Sequence, residues 1–342
     1  MIEQNDRLIE LDCLRGFAAL SVVLYHFSFG YDNDNHILDS SKFYFTIGRM
    51  GVQLFFIISG FVIMMTLSKT KNIFNFVISR FSRLYPAYWV CMLLTISITT
   101  LISPPIHVYS FKQIIFNFTM FQEALHLKSI DRAYWTLFVE LSFYIVMGII
   151  FKLNQIKNIH VICLVWLLLC LLFYYFNIPF GKYIKVLLLL RHAPLFISGI
   201  GFYFLFKTKK KESLFLVFLG LCDYLIIFRE SYKPEISETL TLLFIYFVMY
   251  VFVKGKLKFI IKKPVLFLGT ISYPLYLIHE EVGSTIIFWL KKFINQQIFY
   301  LPITILIVIF LAFLIHKYVE KPGMNYIRGT FGINSHSVNR QK

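Results

Sequence analysis

The chain has 342 residues, 58% hydrophobic, 19% aromatic and only 15% charged, where soluble domains carry about 25% charged residues. With a mean hydropathy of +0.69, this excludes a soluble domain with a large core and predicts an all-α polytopic membrane protein. The net charge of +16 raises nucleic acid as a partner, but the placement of the charges argues against it.

The start, MIEQNDRLIELD, is charged, so no cleavable leader is expected and the first apolar stretch serves as its own insertion signal. Ten segments are long enough to span about 30 Å of hydrocarbon: 11–29, 49–67, 84–102, 133–151, 160–177, 186–206, 212–229, 237–253, 265–289 and 299–317. With the N-terminus inside, the inner segments hold 21 Lys and Arg and the outer loops 11. The positive-inside rule therefore places both termini in the cytoplasm. The basic charge then lies along a face of anionic membrane lipid, which accounts for it without nucleic acid. The longest outer loop runs from Ser103 to Arg132 and holds Pro104 and Pro105. Residues 1–325 are expected to form one transmembrane domain, and 326–342 a polar, disordered cytoplasmic tail. The five cysteines lie in or beside apolar segments without metal-ligand spacing. They are expected to be small apolar side chains, and no metal is expected.

Leu11–Phe29 (LDCLRGFAALSVVLYHFSF) carries Arg15 and His26 in an otherwise apolar span. Ionisable residues there are costly and point to function. They are eleven residues apart, nearly three helical turns, so they share one face at depths differing by about 16 Å. His26, in the outer half, suits a general base, although a single membrane histidine more often only hydrogen-bonds a neighbouring helix. Arg15 lies near the inner surface and either serves a donor or pairs with Asp12. In the second span, Gly51, Ser59 and Gly60 permit close helix packing. Arg80 and Arg83 are spaced i, i+3, a fork for phosphate at the inner face. Tyr85, Tyr88 and Trp89 beside them suit an interfacial belt.

Glu140 lies a turn or two below the outer surface in the fourth span and could orient an imidazole. Trp135, before it, is an interfacial anchor or a contact for the acceptor. Arg191 and His192 open the sixth span, where a sugar could be held. His279, with Glu280 and Glu281, lies in the outer half of the ninth span and could form a buried network with Arg191. The depths sort into two layers: His26, Glu140, His279 and Arg191 outside, and Arg15, Arg80 and Arg83 inside. Such layers suit a machine that takes a phosphate-bearing donor from the cytoplasm and reacts it near the outer face. A transporter or flippase of a lipid-linked sugar or small anion is the rival reading, but no inverted repeat or paired broken helix supports it.

These motifs resemble the acyltransferase-3 family of integral membrane acyltransferases. The family's LDGLRGxAAxxVxxxH opening appears as LDCLRGFAALSVVLYH, and GVDLFFVISGF as GVQLFFIISGF. RxxRxxPxYW appears as RFSRLYPAYW, WSLxxExxFY as WTLFVELSFY and LGxxSYxxYLxH as LGTISYPLYLIH, and VEKP closes the last span. Cys13, Gln53 and Pro274 stand where the family has Gly, Asp and Ser, and Gln53 removes any acidic role there. The resemblance implies a stand-alone bacterial inner-membrane O-acyltransferase, most often an O-acetyltransferase. The donor would be acetyl-CoA and the acceptor a cell-surface glycan such as lipopolysaccharide O-antigen, exopolysaccharide or peptidoglycan. It implies that His26 and Arg15 are required for transfer, with His26 a base or an acyl carrier, and that Arg80 and Arg83 hold the CoA. Glu140 and His279 match family positions.

Overall fold

A computed structural model describes residues 8–35, 38–39, 41–102, 107–176, 188–210, 212–232, 235–294 and 296–332. Among them the chain is helices and turns, without strand. In chain order the helices are α1 (Ile9–Tyr25), α2 (Gly51–Leu67), α3 (Ile73–Leu101), α4 (Trp135–Lys152), α5 (Ile159–Tyr175) and α6 (Ala193–Thr208). There follow α7 (Glu212–Tyr232), α8 (Ile236–Val253), α9 (Lys263–Ile278), α10 (Glu280–Leu290), α11 (Gln297–Ile315) and α12 (Lys321–Thr330). Single π turns, His26–Gly30 and His316–Glu320, continue α1 and α11.

Seven helical stretches of the described residues are long and apolar enough to cross a membrane: Ile9–Asp34, Thr46–Leu67, Ile73–Leu101, Arg132–Lys152, Gln155–Tyr175, Ile236–Val253 and Gln297–Thr330. Three of the ten expected spans differ. α7 is long enough but carries Glu212, Asp223, Arg229 and Glu230. α6 has 16 residues, and part of the expected 186–206 span lies outside the described residues. The expected 265–289 span is interrupted at His279, whose Nδ1 lies 2.8 Å from the Tyr276 carbonyl, a group of the preceding turn. At the other end, the expected boundary at 325 falls inside α12, which is helical to Thr330; residues 333–342 lie outside the described residues.

The centre is built from glycine contacts, because van der Waals packing rather than hydrophobic burial joins helices in lipid. α1 crosses α9 where a Cβ on Gly16 would stand 2.6 Å from the Gly269 backbone nitrogen. α2 crosses α6 at Gly60 and Gly199, where any Cβ would collide with the Phe196 or Ile57 carbonyl. Gly60→Val is therefore expected to force α2 from α6, an overpacking cost of at least about 1–3 kcal/mol. A thermal-shift assay in detergent checks this; an unchanged Tm would show that the two backbones do not touch.

Two polar features brace the end of the bundle that holds His26. Asp32, fully buried after the first π turn, accepts from Lys42 Nζ at 2.8 Å and Lys291 Nζ at 3.3 Å. The long connection 107–131 presses a short helix, Phe111–Phe118, onto α3. There Tyr88 donates to the Asn117 carbonyl at 2.6 Å, Trp89 to Phe118 at 3.0 Å and Tyr85 to Thr119 at 3.0 Å. These aromatics, expected at an interfacial belt, thus cap carbonyls at that helix's C-terminus. Pro104 and Pro105 of this connection lie outside the described residues.

Candidate active site

α1 places Arg15 and His26 in two separate cavities. His26 opens the π turn, a local widening that recurs at functional sites. Gly30 leaves it room: a Cβ there would stand 3.2 Å from His26 Nδ1. The Nδ1 faces Glu280 Oε1 at 3.4 Å, and the ring lies edge-on to His279, centroids 5.1 Å apart.

Glu280 is nearly inaccessible, 3% exposed, and a carboxylate so placed needs a partner. Arg132 supplies it. Its Nε lies 3.0 Å from the same Oε1 and 3.3 Å from Glu281 Oε1, and it also pairs with Asp34. Asp131 backs this pair by accepting from the Glu281 backbone N–H at 3.1 Å and the Ala133 N–H at 2.9 Å. His279 is fully buried. Where its Nδ1 donates to the Tyr276 carbonyl, Nε2 keeps its lone pair, and that Nε2 has no hydrogen-bond partner.

The His26 cavity has a volume of about 310 Å³. Its walls include Arg49, Gln53, Trp135, His192, Glu280 and Tyr276. Trp135 and His192 stand with ring centroids 5.4 Å apart. Arg49 is held by Glu238. The side-chain amide of Gln53, where the family carries an acid, meets the Tyr224 hydroxyl at 3.2 Å. This wall is thus neutral at that position.

A smaller cavity of about 60 Å³ is lined by Arg15, Arg83, Ser59, Glu140 and Tyr273. Val52, Phe56 and Tyr276 line both cavities and form the wall between them. Arg15 Nη1 lies 3.6 Å from Asp12. Glu140 accepts from Ser59 Oγ at 2.6 Å and from the Tyr144 hydroxyl. Arg80 lies over the Tyr144 ring, 5.8 Å from its centroid, and donates to Ser79 Oγ at 3.0 Å.

Of the expected site residues, the fold brings His26 and His279 together with Trp135 in the same neighbourhood, and Arg15 and Arg83 together with Arg80 beside them. Two expectations are corrected. Glu140 does not stand with His26: it lies five residues beyond Trp135, about 7.5 Å deeper along α4, and its carboxylate turns to Ser59 and Tyr144 in the Arg15 layer. The carboxylate beside His26 is that of Glu280. Arg191 is exposed, and its neighbour His192 lines the cavity instead. The arginine that holds Glu280 and Glu281 is Arg132. Arg132 reads in sequence as one more loop cation; its one signal is that it directly precedes the AYWTLFVE run.

Ligand atoms of His26, His279 and Glu280 lie within 4.8 Å of one another, a donor set that transition metals accept. Arg132 already occupies Glu280 Oε1, and a guanidinium there opposes a second cation. The cluster fits proton handling better than metal binding: an acceptor nitrogen at the cavity wall, a carboxylate behind it, and a fixed cation neutralising that carboxylate.

The acyltransferase-3 model, described as an acyltransferase domain, matches residues 8–317. A protein of Acidianus two-tailed virus, ORF330, named as a proposed acetyltransferase, is 25% identical over 282 residues, covering 78% of this chain and 80% of the relative. No solved structure matches the chain. With apolar helices long enough to cross a bilayer and a family match over nearly the whole chain, the protein belongs to the acyltransferase-3 family: it is a membrane enzyme that transfers acyl groups other than aminoacyl groups.

Proposed function

We propose that the enzyme takes an acetyl group from acetyl-CoA at the cytoplasmic face of a bacterial inner membrane and passes it to a hydroxyl of a cell-surface polysaccharide or its lipid-linked precursor, such as lipopolysaccharide O-antigen. The chain would cross the membrane ten times with both termini in the cytoplasm. The observation that carries this reading is the stacking of two cavities along one face of α1: guanidiniums of Arg15 and Arg83 in one, the His26 imidazole in the other, and a shared wall between.

Arg80 and Arg83, with Arg15, bind the CoA phosphates, as guanidinium forks do. The thioester reaches past Val52, Phe56 and Tyr276 into the His26 cavity. Glu280 orients the His26 ring through Nδ1, so that Nε2 presents its lone pair to the acceptor. Nε2 takes the hydroxyl proton as the sugar oxygen attacks the thioester carbonyl. The C–S bond then breaks, and the proton passes from His26 to the departing CoA sulfur. Trp135 and His192 provide an apolar face and a polar edge on which a sugar ring can rest.

Two measurements test this. The purified protein should bind CoA, and Arg80→Ala or Arg83→Ala should weaken that binding by about tenfold or more, the order of one charge-assisted hydrogen bond. Mass spectrometry of glycans from host strains with and without the gene should show an acetyl group that disappears on deletion. A flippase would bind no CoA and would leave the glycan's acylation unchanged.

A further inference from the structure

The C-terminal helix α12 continues α11 and lies along α3. The π turn His316–Glu320 joins the two helices, and Gly323 lets α12 approach: a Cβ there would stand 2.8 Å from Pro86 Cβ. This brings Arg328, separated from Arg80 by most of the chain, to the same short face of α3. Arg328 Nε donates to Ser82 Oγ at 3.1 Å and Nη2 to the Ser79 carbonyl at 3.4 Å, while Arg80 Nη2 donates to Ser79 Oγ. Ser79 therefore holds two guanidiniums at once.

The charges here are unlike those around the other described arginines that form ion pairs. Arg15 faces Asp12, Arg49 faces Glu238, and Arg132 faces Asp34, Glu280 and Glu281. Among the described residues, no carboxylate pairs with Arg80, Arg83 or Arg328. Arg80 Nε is moreover buried with no hydrogen-bond partner, although a buried donor left unmade is costly. Two guanidiniums held on one serine, with that of Arg83 one turn further along α3 and one buried donor unspent, are stable when an anion sits among them. A phosphate monoester suits the place best, since its three terminal oxygens match three guanidiniums.

Resting on the acyl-CoA reading above, we propose that Arg328 is the third guanidinium of the donor site and that it recognises the ribose 3′-phosphate of CoA. The last helix is then part of the active enzyme, and the 3′-phosphate makes its contact with Arg328 on α12 beside Arg80 and Arg83 on α3. Arg328 would select full CoA over donors that lack that phosphate.

The test is binding of CoA and of dephospho-CoA to the purified full chain in detergent, for wild type, Arg328→Ala and Arg328→Lys. Wild type should prefer CoA by about tenfold or more. Arg328→Ala should lose most of that preference by weakening CoA about tenfold while leaving dephospho-CoA unchanged, the remainder being what Arg80 and Arg83 contribute. Arg328→Lys should fall between, because an ammonium keeps the charge but loses the planar fork; it decides the matter should the alanine variant not elute as a single species. A preference for CoA that is undiminished in both variants overturns the proposal. Unchanged CoA affinity with loss of thermal stabilisation by phosphatidylglycerol vesicles also overturns it, giving the phosphate site to lipid. Absence of CoA binding in wild type instead removes the donor reading itself.

Discussion

Replacing His26 by alanine lowers acyl transfer by about 10²- to 10⁴-fold, the usual contribution of a positioned base, while the protein inserts at normal levels. The fold should tolerate the change. The His26 side chain is 21% exposed, lines a cavity, and its polar contact is the loose one to Glu280. The loss should fall on kcat. The donor's KM should hold, because the arginines that bind phosphate line a different cavity, beyond the wall of Val52, Phe56 and Tyr276. Transfer assayed with labelled acetyl-CoA, beside membrane levels of the variant, checks this. Retained acetylation by His26→Ala would sink the assignment.

Glu280→Gln is expected to have the second-largest effect, a loss of about 10- to 100-fold in kcat, the order of one hydrogen bond to a charged group. The substitution keeps size and shape, and Arg132 still has Asp34 and Glu281 as partners. What it removes is the negative charge behind His26 Nδ1, which fixes the ring and stabilises the imidazolium formed during transfer. Glu140→Gln is the control that separates the two carboxylates. Glu140 is bonded to Ser59 and Tyr144, and Tyr144 lies against Arg80, so its loss should disturb donor binding and raise the KM for acetyl-CoA. If Glu140→Gln lowered kcat at constant donor KM and Glu280→Gln did neither, the pairing seen here would not be the one used in catalysis.

These two carboxylates mark the limit of what is legible in the residues alone. Both are acids in apolar spans, and both were placed at outer depth. Which one meets His26 depends on how α4 and α10 rotate about their axes, and that rotation is set by contacts between segments far apart in the chain: Ser59 draws Glu140 one way, and Arg132 draws Glu280 the other. The same holds for Arg191 and Arg132. A cation beside a span is visible in the sequence, but whether it faces a cavity is a matter of helix rotation. The interruption at His279 is hidden too, because the segment is apolar on both sides and the backbone N–H of Glu281 is drawn to Asp131, a residue far away in the chain. Arg328 reads in sequence as part of a polar tail, since nothing within α12 shows that Gly323 can lie against Pro86.

Legible in the residues alone were the helical class, the family through its ordered motifs, and the placement of Arg15 and His26 on one face of α1. Those are local properties: hydrocarbon length, 3.6-residue periodicity and spacing along one helix. Tertiary structure alone decided which carboxylate stands behind His26, which arginine neutralises it, which aromatic and imidazole rings share its cavity, and that the C-terminal helix joins the arginine cluster. Each of these depends on interhelical glycine contacts and buried polar pairs, whose energies are comparable for several partners until the whole bundle is packed.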